Sequence, residues 1–180
     1  VDLCNKIGAS MIQLLPINDT ADRGDWADSY PYRQVSCFAL HPIYINLLEI
    51  IPNLPKNIKD EIIEFASFQE KQKVLEYPTV YEFKVEKLQQ IYELVKSDIL
   101  TDVKFETFKK ENSKWLHSYA IYCHYRKKYG TSDFHTWPDH RTITDSEIEF
   151  ISKKNEKDLN YFYWIQYVCD QQFRDSRNYA

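Results

Sequence analysis

The chain has 180 residues, of which 43% are hydrophobic, and a formal net charge of −4. That charge gives no general electrostatic attraction to nucleic acid or to an anionic membrane surface, so neither is expected as a partner. The hydrophobic content can form a sizeable core, yet no apolar run approaches the roughly 20 residues that a membrane span requires.

The first predicted elements are a short helix and a strand. The helical pattern of residues 1–7 ends at Gly8, and residues 11–17 then form a nearly unbroken apolar run, MIQLLPI. Such a run suits a strand that is buried on both faces, as in a parallel sheet, better than a half-exposed strand. One parallel strand cannot satisfy its own edges, so its neighbours are expected from sequence outside this chain.

A polar and aromatic loop follows this strand. It holds four carboxylates and three large aromatic side chains around Pro31: Asp19, Asp22, Asp25, Asp28, Trp26, Tyr30 and Tyr32. In α/β folds the loops at the carboxyl edge of a parallel sheet carry the ligand chemistry. The loop is therefore predicted to form one wall of a sugar-binding site.

The rest of the chain has helical periodicity. Asn57 is expected to cap a helix that buries Ile58, Ile62 and Phe65 and ends at Tyr77-Pro78. Four further apolar stripes are predicted to be core. The first is Val85, Leu88, Tyr92 and Val95, and the second is Phe105, Phe108, Trp115, Tyr119 and Tyr122, in a helix that ends near Gly130. The third, Ile148 and Ile151, follows a capping box of Thr144 and Glu147, and the fourth is Leu159, Phe162, Cys169 and Phe173.

Cysteine and histidine spacing predicts no cofactor and no metal site. The four cysteines are widely spaced without a CxxC pair, so they are expected to be reduced and mostly buried, as in a cytoplasmic protein. There is no glycine-rich phosphate loop. The one local basic cluster, Arg126-Lys127-Lys128, lies near a predicted helix end, where cations interact favourably with the helix dipole.

Two segments carry a resemblance to a known family. The stretch QLLPIND followed by DSYPYRQVSCFALHPIYI resembles the first barrel strand and first active-site loop of the 4-α-glucanotransferases, the amylomaltase family (glycoside hydrolase family 77). Its DSYPY and ALHP spellings resemble the cytosolic, maltose-processing branch. The resemblance continues more weakly through KWLHSYAIYCHYRKKYG, FHTWPDH and the final aromatic helix.

The resemblance implies a fold and a domain division. The parent fold would be α/β, a (β/α)8 barrel, of which this mostly α-helical segment holds the first strand and its active-site loop. Residues 1–52 would form the end of a barrel helix, the strand and the loop. Residues 53–153 would be a helical insertion, and residues 154–180 a helix that returns to the barrel, whose remainder would come from the same chain.

The resemblance also implies a reaction. It is retaining transfer of glucosyl or maltosyl units between α-1,4-glucans, with maltose, malto-oligosaccharides or glycogen as substrates. Retaining chemistry requires a nucleophile and an acid/base about 5 to 5.5 Å apart. No motif in the chain matches the family's catalytic carboxylates, so the segment alone is predicted to be inactive. A non-catalytic glucan-binding segment and a helical interaction domain are the alternatives.

Four residues are candidates for substrate binding. The family places the tyrosine of its PY pair in a sugar site, which corresponds to Tyr32; the alternative is a buried tyrosine with its hydroxyl satisfied elsewhere. Ser29 corresponds to the serine before PY, although Tyr30 is inserted between them. Asp28 either accepts sugar hydroxyls or holds the loop through backbone N–H groups, and Trp26 is either a stacking platform or a packing lid. His41 is expected to be a buried hydrogen-bonding residue rather than a metal ligand.

Overall fold

The computed structural model describes all residues, 1–180. It contains seven α-helices: α1 (Asp2–Lys6), α2 (Lys56–Glu70), α3 (Tyr77–Ile99), α4 (Val103–Glu111), α5 (Ser113–Tyr129), α6 (Asp145–Lys154) and α7 (Glu156–Tyr179). Short 3-10 helices lie at Trp26–Ser29, Pro42–Tyr44, Leu47–Glu49 and Phe134–Thr136. None of the helices is long and apolar enough to cross a membrane.

The buried strand expected at residues 11–17 is not formed in this chain. Met11, Leu14 and Leu15 are 84%, 63% and 63% exposed, and the only β pairing is an isolated antiparallel bridge between Asn18 and Leu40. A strand requires at least one neighbouring strand that pairs with its backbone, and a strand inside a sheet requires two. The chain supplies backbone partners only at the end of this segment, where His41 N donates to Ile17 O at 3.0 Å.

The expected helices are present, with three corrected boundaries. Helix α2 begins at Lys56 and has no side-chain cap from Asn57, and it ends at Glu70. Tyr77-Pro78 starts α3 instead of ending α2, because proline fits the first turn of a helix, where its missing N–H is not required. The long aromatic stripe is divided at Asn112 into α4 and α5.

Two predicted helix ends are confirmed. Gly130 ends α5 in the left-handed conformation with φ 68°, which glycine adopts without steric cost. The capping box of Thr144 and Glu147 starts α6. Because both signals are local, they do not depend on the rest of the fold.

The main core lies between helices α3, α5 and α7. Twenty-three buried residues form one cluster, which includes Leu88, Leu116, Leu159 and Trp164 and extends to Ile45 beyond the loop. The predicted stripes are buried at Ile58, Ile62, Leu88, Tyr92, Phe105, Phe108, Tyr119, Ile151, Leu159 and Cys169. At the end of the last stripe Phe173 is 40% exposed. Cys123 and Cys169 are buried, whereas Cys37 is exposed, and all four thiols are free.

Candidate functional site

The loop of residues 18–34 is attached at its base to the segment that follows it. Asp19 N donates to Ala39 O at 2.8 Å, and Val35 N donates to Asp19 O at 2.9 Å. The side-chain amide of Asn18 adds a bond to Cys37 O at 2.9 Å. These hydrogen bonds therefore hold the first residues of the loop next to the residues that follow it.

Asp28 organises the tip of the loop. It lies in the 3-10 helix Trp26–Ser29 and is 1% exposed. Its Oδ2 accepts hydrogen bonds from the backbone N–H groups of Asp22, Arg23 and Gly24 at 3.0, 2.9 and 2.6 Å. A carboxylate that accepts several N–H bonds holds a turn strongly. Of the two roles expected for Asp28, the geometry provides the one that holds the loop.

The turn that Asp28 holds requires a glycine. Gly24 has φ 76°, a backbone conformation that residues with a Cβ rarely adopt. Asp25 caps the 3-10 helix by accepting from Ala27 N at 2.8 Å. Thr20 Oγ1 donates to Asp28 O. The side chains of Thr20, Asp25 and Asp28 thus fix the backbone conformation of the segment DRGDWADS.

Aromatic side chains project from this turn. Trp26 is 48% exposed and Tyr32 is 61% exposed, so neither ring is buried within this chain. The ring centroids of Tyr30 and Tyr32 are 5.5 Å apart. Ser29 Oγ donates to Trp26 O at 2.8 Å. Exposed aromatic rings on a rigid turn are the groups that pack against the C–H faces of sugars.

A cleft beside the turn brings three of the four candidates together. Trp26, Asp28 and Ser29 line a cavity of about 430 Å³ with the side chains of Thr20, His41, Tyr44, Tyr77 and Lys84. Tyr32 does not line it. Three candidates thus share one cleft, and Tyr32 lies outside it, next to Tyr30.

His41 is a buried hydrogen-bonding residue, as expected. Its Nδ1 accepts from Ile43 N at 3.2 Å, which leaves the ring proton on Nε2 to donate to Tyr77 Oη at 2.7 Å. Burial lowers the pKa of His41, although the Asp19 carboxylate, whose Oδ1 lies 3.8 Å from Nδ1, acts in the opposite direction. Because Nδ1 is an acceptor, the neutral ring fits this arrangement.

Sequence reasoning missed a buried polar network behind the loop. Asp19 Oδ2 accepts from Tyr119 Oη at 2.6 Å, and Gln166 Nε2 lies 3.4 Å from the same hydroxyl. Lys84 Nζ donates to Ile43 O and, at 2.8 Å, to Ile45 O. The one available signal was Gln166 itself, a polar residue inside the apolar run YFYWIQYV of α7. Its partners lie far away in sequence, so no local pattern identifies them.

The whole chain matches a protein family. The family model described as 4-alpha-glucanotransferase matches residues 1–180. The chain is 33% identical to a 4-alpha-glucanotransferase of Oryza sativa subsp. japonica and 29% identical to one of Chlamydia caviae. Both comparisons match 100% of this chain, but they cover only 19% of the Oryza protein and 33% of the Chlamydia protein. The chain thus spans about a fifth to a third of the length of these curated relatives.

Proposed function

This chain belongs to the 4-alpha-glucanotransferase family, and we propose that it supplies one wall of the sugar site of a longer glucanotransferase. The observation that carries this proposal is the aromatic turn of residues 22–32, which Asp28 holds rigid through three backbone N–H groups. A site that binds a flexible glucan gains affinity when its contact groups are fixed before binding.

The exposed apolar segment supports a barrel for the longer protein. Met11, Leu14 and Leu15 are exposed here, and they come shortly before the loop that carries the turn. We propose that this segment becomes the first strand of a (β/α)8 barrel when neighbouring strands of the same protein pair with it. In that arrangement the turn stands at the carboxyl edge of the barrel, where such folds bind substrate. Residues 1–52, 53–153 and 154–180 are then the strand and loop part, the helical insertion and the returning helix.

The proposed reaction is retaining transfer of glucosyl or maltosyl units between α-1,4-glucans. The nucleophile and the acid/base belong to other parts of the longer protein and lie on opposite sides of the scissile bond. The role of this chain is to bind and orient the donor. The ring of Tyr32 packs against a glucose unit and its hydroxyl bonds a sugar oxygen, while Trp26 and Ser29 contact the glucan at the edge of the cleft.

Asp28 acts in this proposal through the backbone. It is almost completely buried, so it fixes Trp26 and Ser29 rather than reaching the sugar from the surface. The proposed substrates are maltose, malto-oligosaccharides and glycogen. We also propose a cytoplasmic location, which fits four free cysteines, since thiols stay reduced in that compartment.

A non-catalytic glucan-binding segment is the second candidate, because the chain contains no match to the family's catalytic carboxylate motifs. Glucose release from maltose and maltotriose separates the two. We expect release by the full-length protein and none by residues 1–180 expressed alone. A full-length protein that binds maltotriose but releases no glucose would overturn the enzymatic proposal and leave the binding role.

A further inference from the structure

Asp19 is the residue at which the loop closes on the segment that follows it. Its backbone N–H donates to Ala39 O at 2.8 Å, and its backbone carbonyl accepts from Val35 N at 2.9 Å. The residue is 1% exposed, and its side-chain Oδ1 accepts from Ala21 N at 2.9 Å. All three bonds lie within residues 19–39, so they close the loop but do not fix its position relative to the helices.

A bond from Tyr119 of helix α5 connects Asp19 to the helices. The Tyr119 hydroxyl donates to Asp19 Oδ2 at 2.6 Å, and Tyr119 is 8% exposed. Burial, and then the charge of the Asp19 carboxylate, raise the pKa of Tyr119 well above its ordinary value, so the hydroxyl keeps its proton and donates it. A hydrogen bond to an ionised carboxylate is stronger than one between neutral groups, and water does not compete with a buried one.

Tyr119 has a fixed position of its own. Its ring packs in a small buried cluster with Ala39 and Cys123. Gln166 Nε2, on helix α7, lies 3.4 Å from the Tyr119 hydroxyl and also donates to Leu40 O at 2.9 Å. The hydroxyl is therefore held in place by α5 and α7 before it meets Asp19, as a preorganised support requires.

The path from Asp19 to the turn is short. The next residue, Thr20, donates its hydroxyl to Asp28 O, and Asp28 Oδ2 accepts the backbone N–H groups of residues 22–24. These bonds make the turn that carries Trp26 rigid within itself. Its position on the molecule is then set at its base, where Asp19 meets Tyr119.

We propose that Tyr119 is a positioning residue for the donor sugar, which acts through Asp19 and the turn and does not touch the substrate. This inference rests on the function proposed for the turn. Without the hydroxyl the loop occupies several positions, of which a fraction binds sugar, and the apparent affinity falls by that fraction. The loss appears in KM, because the groups that carry out the transfer belong to other parts of the longer protein.

Transfer from maltose by the Tyr119→Phe variant of the full-length protein tests this role. At a temperature where the variant is fully folded, we expect KM to rise roughly tenfold, as when one loop position in about ten binds sugar, with kcat within about twofold of the wild type. Tyr125→Phe is the matched control, since Tyr125 lies on the same helix, is 4% exposed and bonds His140 Nε2 at 3.0 Å, away from the loop. Its KM and kcat should stay at the wild-type values.

Trypsin cleavage after Arg23 reports on the loop without requiring any activity. The Arg23 side chain is 60% exposed, so the rate of cleavage depends on how often the backbone of the turn opens. We expect faster cleavage in Tyr119→Phe and the wild-type rate in Tyr125→Phe. Faster cleavage with an unchanged KM would show that Tyr119 holds the loop but would contradict the sugar-binding role of the turn.

A second variant tests whether Tyr119 acts through Asp19. Asp19→Asn keeps the size of the side chain and removes its charge. If one bond carries the effect, Asp19→Asn combined with Tyr119→Phe should raise KM no more than Asp19→Asn alone. The proposal is overturned if Tyr119→Phe keeps both the wild-type KM and the wild-type cleavage rate, if only kcat falls, or if the effects of the two substitutions on KM multiply.

Discussion

The side-chain amide of Gln166 pairs with the backbone of Leu40 as a neighbouring strand would. Gln166 Oε1 accepts from Leu40 N at 2.8 Å, and Gln166 Nε2 donates to Leu40 O at 2.9 Å. Six residues further along both segments, Gln172 makes the same pair of bonds to Asn46, at 2.8 and 3.0 Å. Helix α7 thus holds the segment that closes the loop at two points in one register.

Removing the buried side-chain amide of Gln166 should destabilise the protein more than removing that of Gln172. Gln166 is 2% exposed, so Gln166→Leu leaves the N–H and C=O of Leu40 without partners and should cost roughly 2 to 4 kcal/mol of unfolding free energy. Gln172→Leu is the matched control; water reaches Asn46, so the cost should stay below about 1 kcal/mol. Denaturant unfolding of both variants measures the difference, and equal costs would contradict the role assigned to Gln166.

Asp28 should control the mobility of the turn. Asp28→Ala removes the acceptor of three N–H groups, and we expect a loss of about 2 to 4 kcal/mol together with rapid trypsin cleavage after Arg23. Asp25→Ala, which removes a single exposed cap, should cost about 1 kcal/mol and cleave slowly. Similar cleavage rates for the two variants would show that Asp28 does not hold the turn.

Trp115 is expected to be structural. Its ring packs against both buried clusters and lies 6.0 Å from Phe38, and its Nε1 donates to Asn112 Oδ1 at 3.0 Å. Trp115→Ala should therefore lower the unfolding free energy by about 3 kcal/mol and leave glycogen binding unchanged. Thermal melting and a glycogen pull-down on the same variant check this. A stable variant that no longer binds glycogen would make Trp115 a glucan platform.

Burial of His41 predicts a loss of stability at acid pH. The pKa of His41 in the folded protein lies below its ordinary value of 6.5, so below that pH the unfolded chain binds a proton that the folded chain resists. This contribution is complete above pH 6.5 and is lost as the pH falls towards the folded pKa. His117 and His124 are shifted in the same direction, also by burial.

The contribution of His41 is isolated by comparison. His41→Gln should lower stability at pH 7.5 and flatten its decline between pH 6.5 and 5, as measured by denaturant unfolding at each pH. His135→Gln, at an exposed position, is the control and should keep the wild-type slope. An unchanged slope in His41→Gln would mean that His41 does not resist protonation in the folded protein.

Local signals predicted local structure well. The capping box at Thr144, the glycine at position 130 and the apolar stripes of the helices depend on neighbours within a few residues, and the structure confirms them. The Asn112 break was missed because one aromatic stripe continues across it, from Phe108 to Trp115. Tyr77-Pro78 was read as a stop although proline is also a common helix start.

Long-range structure was the part that sequence could not provide. The strand at residues 11–17 was predicted from its apolar run, but it is not formed, because a strand requires backbone partners and this segment has one only at Ile17. The hydrogen bonds of Asp19 to Tyr119 and of Gln166 to Leu40 join residues 100 and 126 positions apart. For Asp28 the sequence allowed two roles, and only the positions of three backbone N–H groups separated them.

The central claim is that the turn contacts the donor sugar, and it is tested by measuring glucosyl transfer from maltose by Tyr32 variants of the full-length protein. We expect Tyr32→Phe to lower kcat/KM on maltose by about 1 to 2 kcal/mol, as for one lost hydrogen bond, and Tyr32→Ala to lower it further. The loss should be smaller on long glucans, which bind at other points too. Tyr179→Ala, a similarly exposed tyrosine at the end of α7, should keep full activity. Full activity of both Tyr32 variants on maltose, at unchanged stability, would place Tyr32 outside the sugar site and contradict this account.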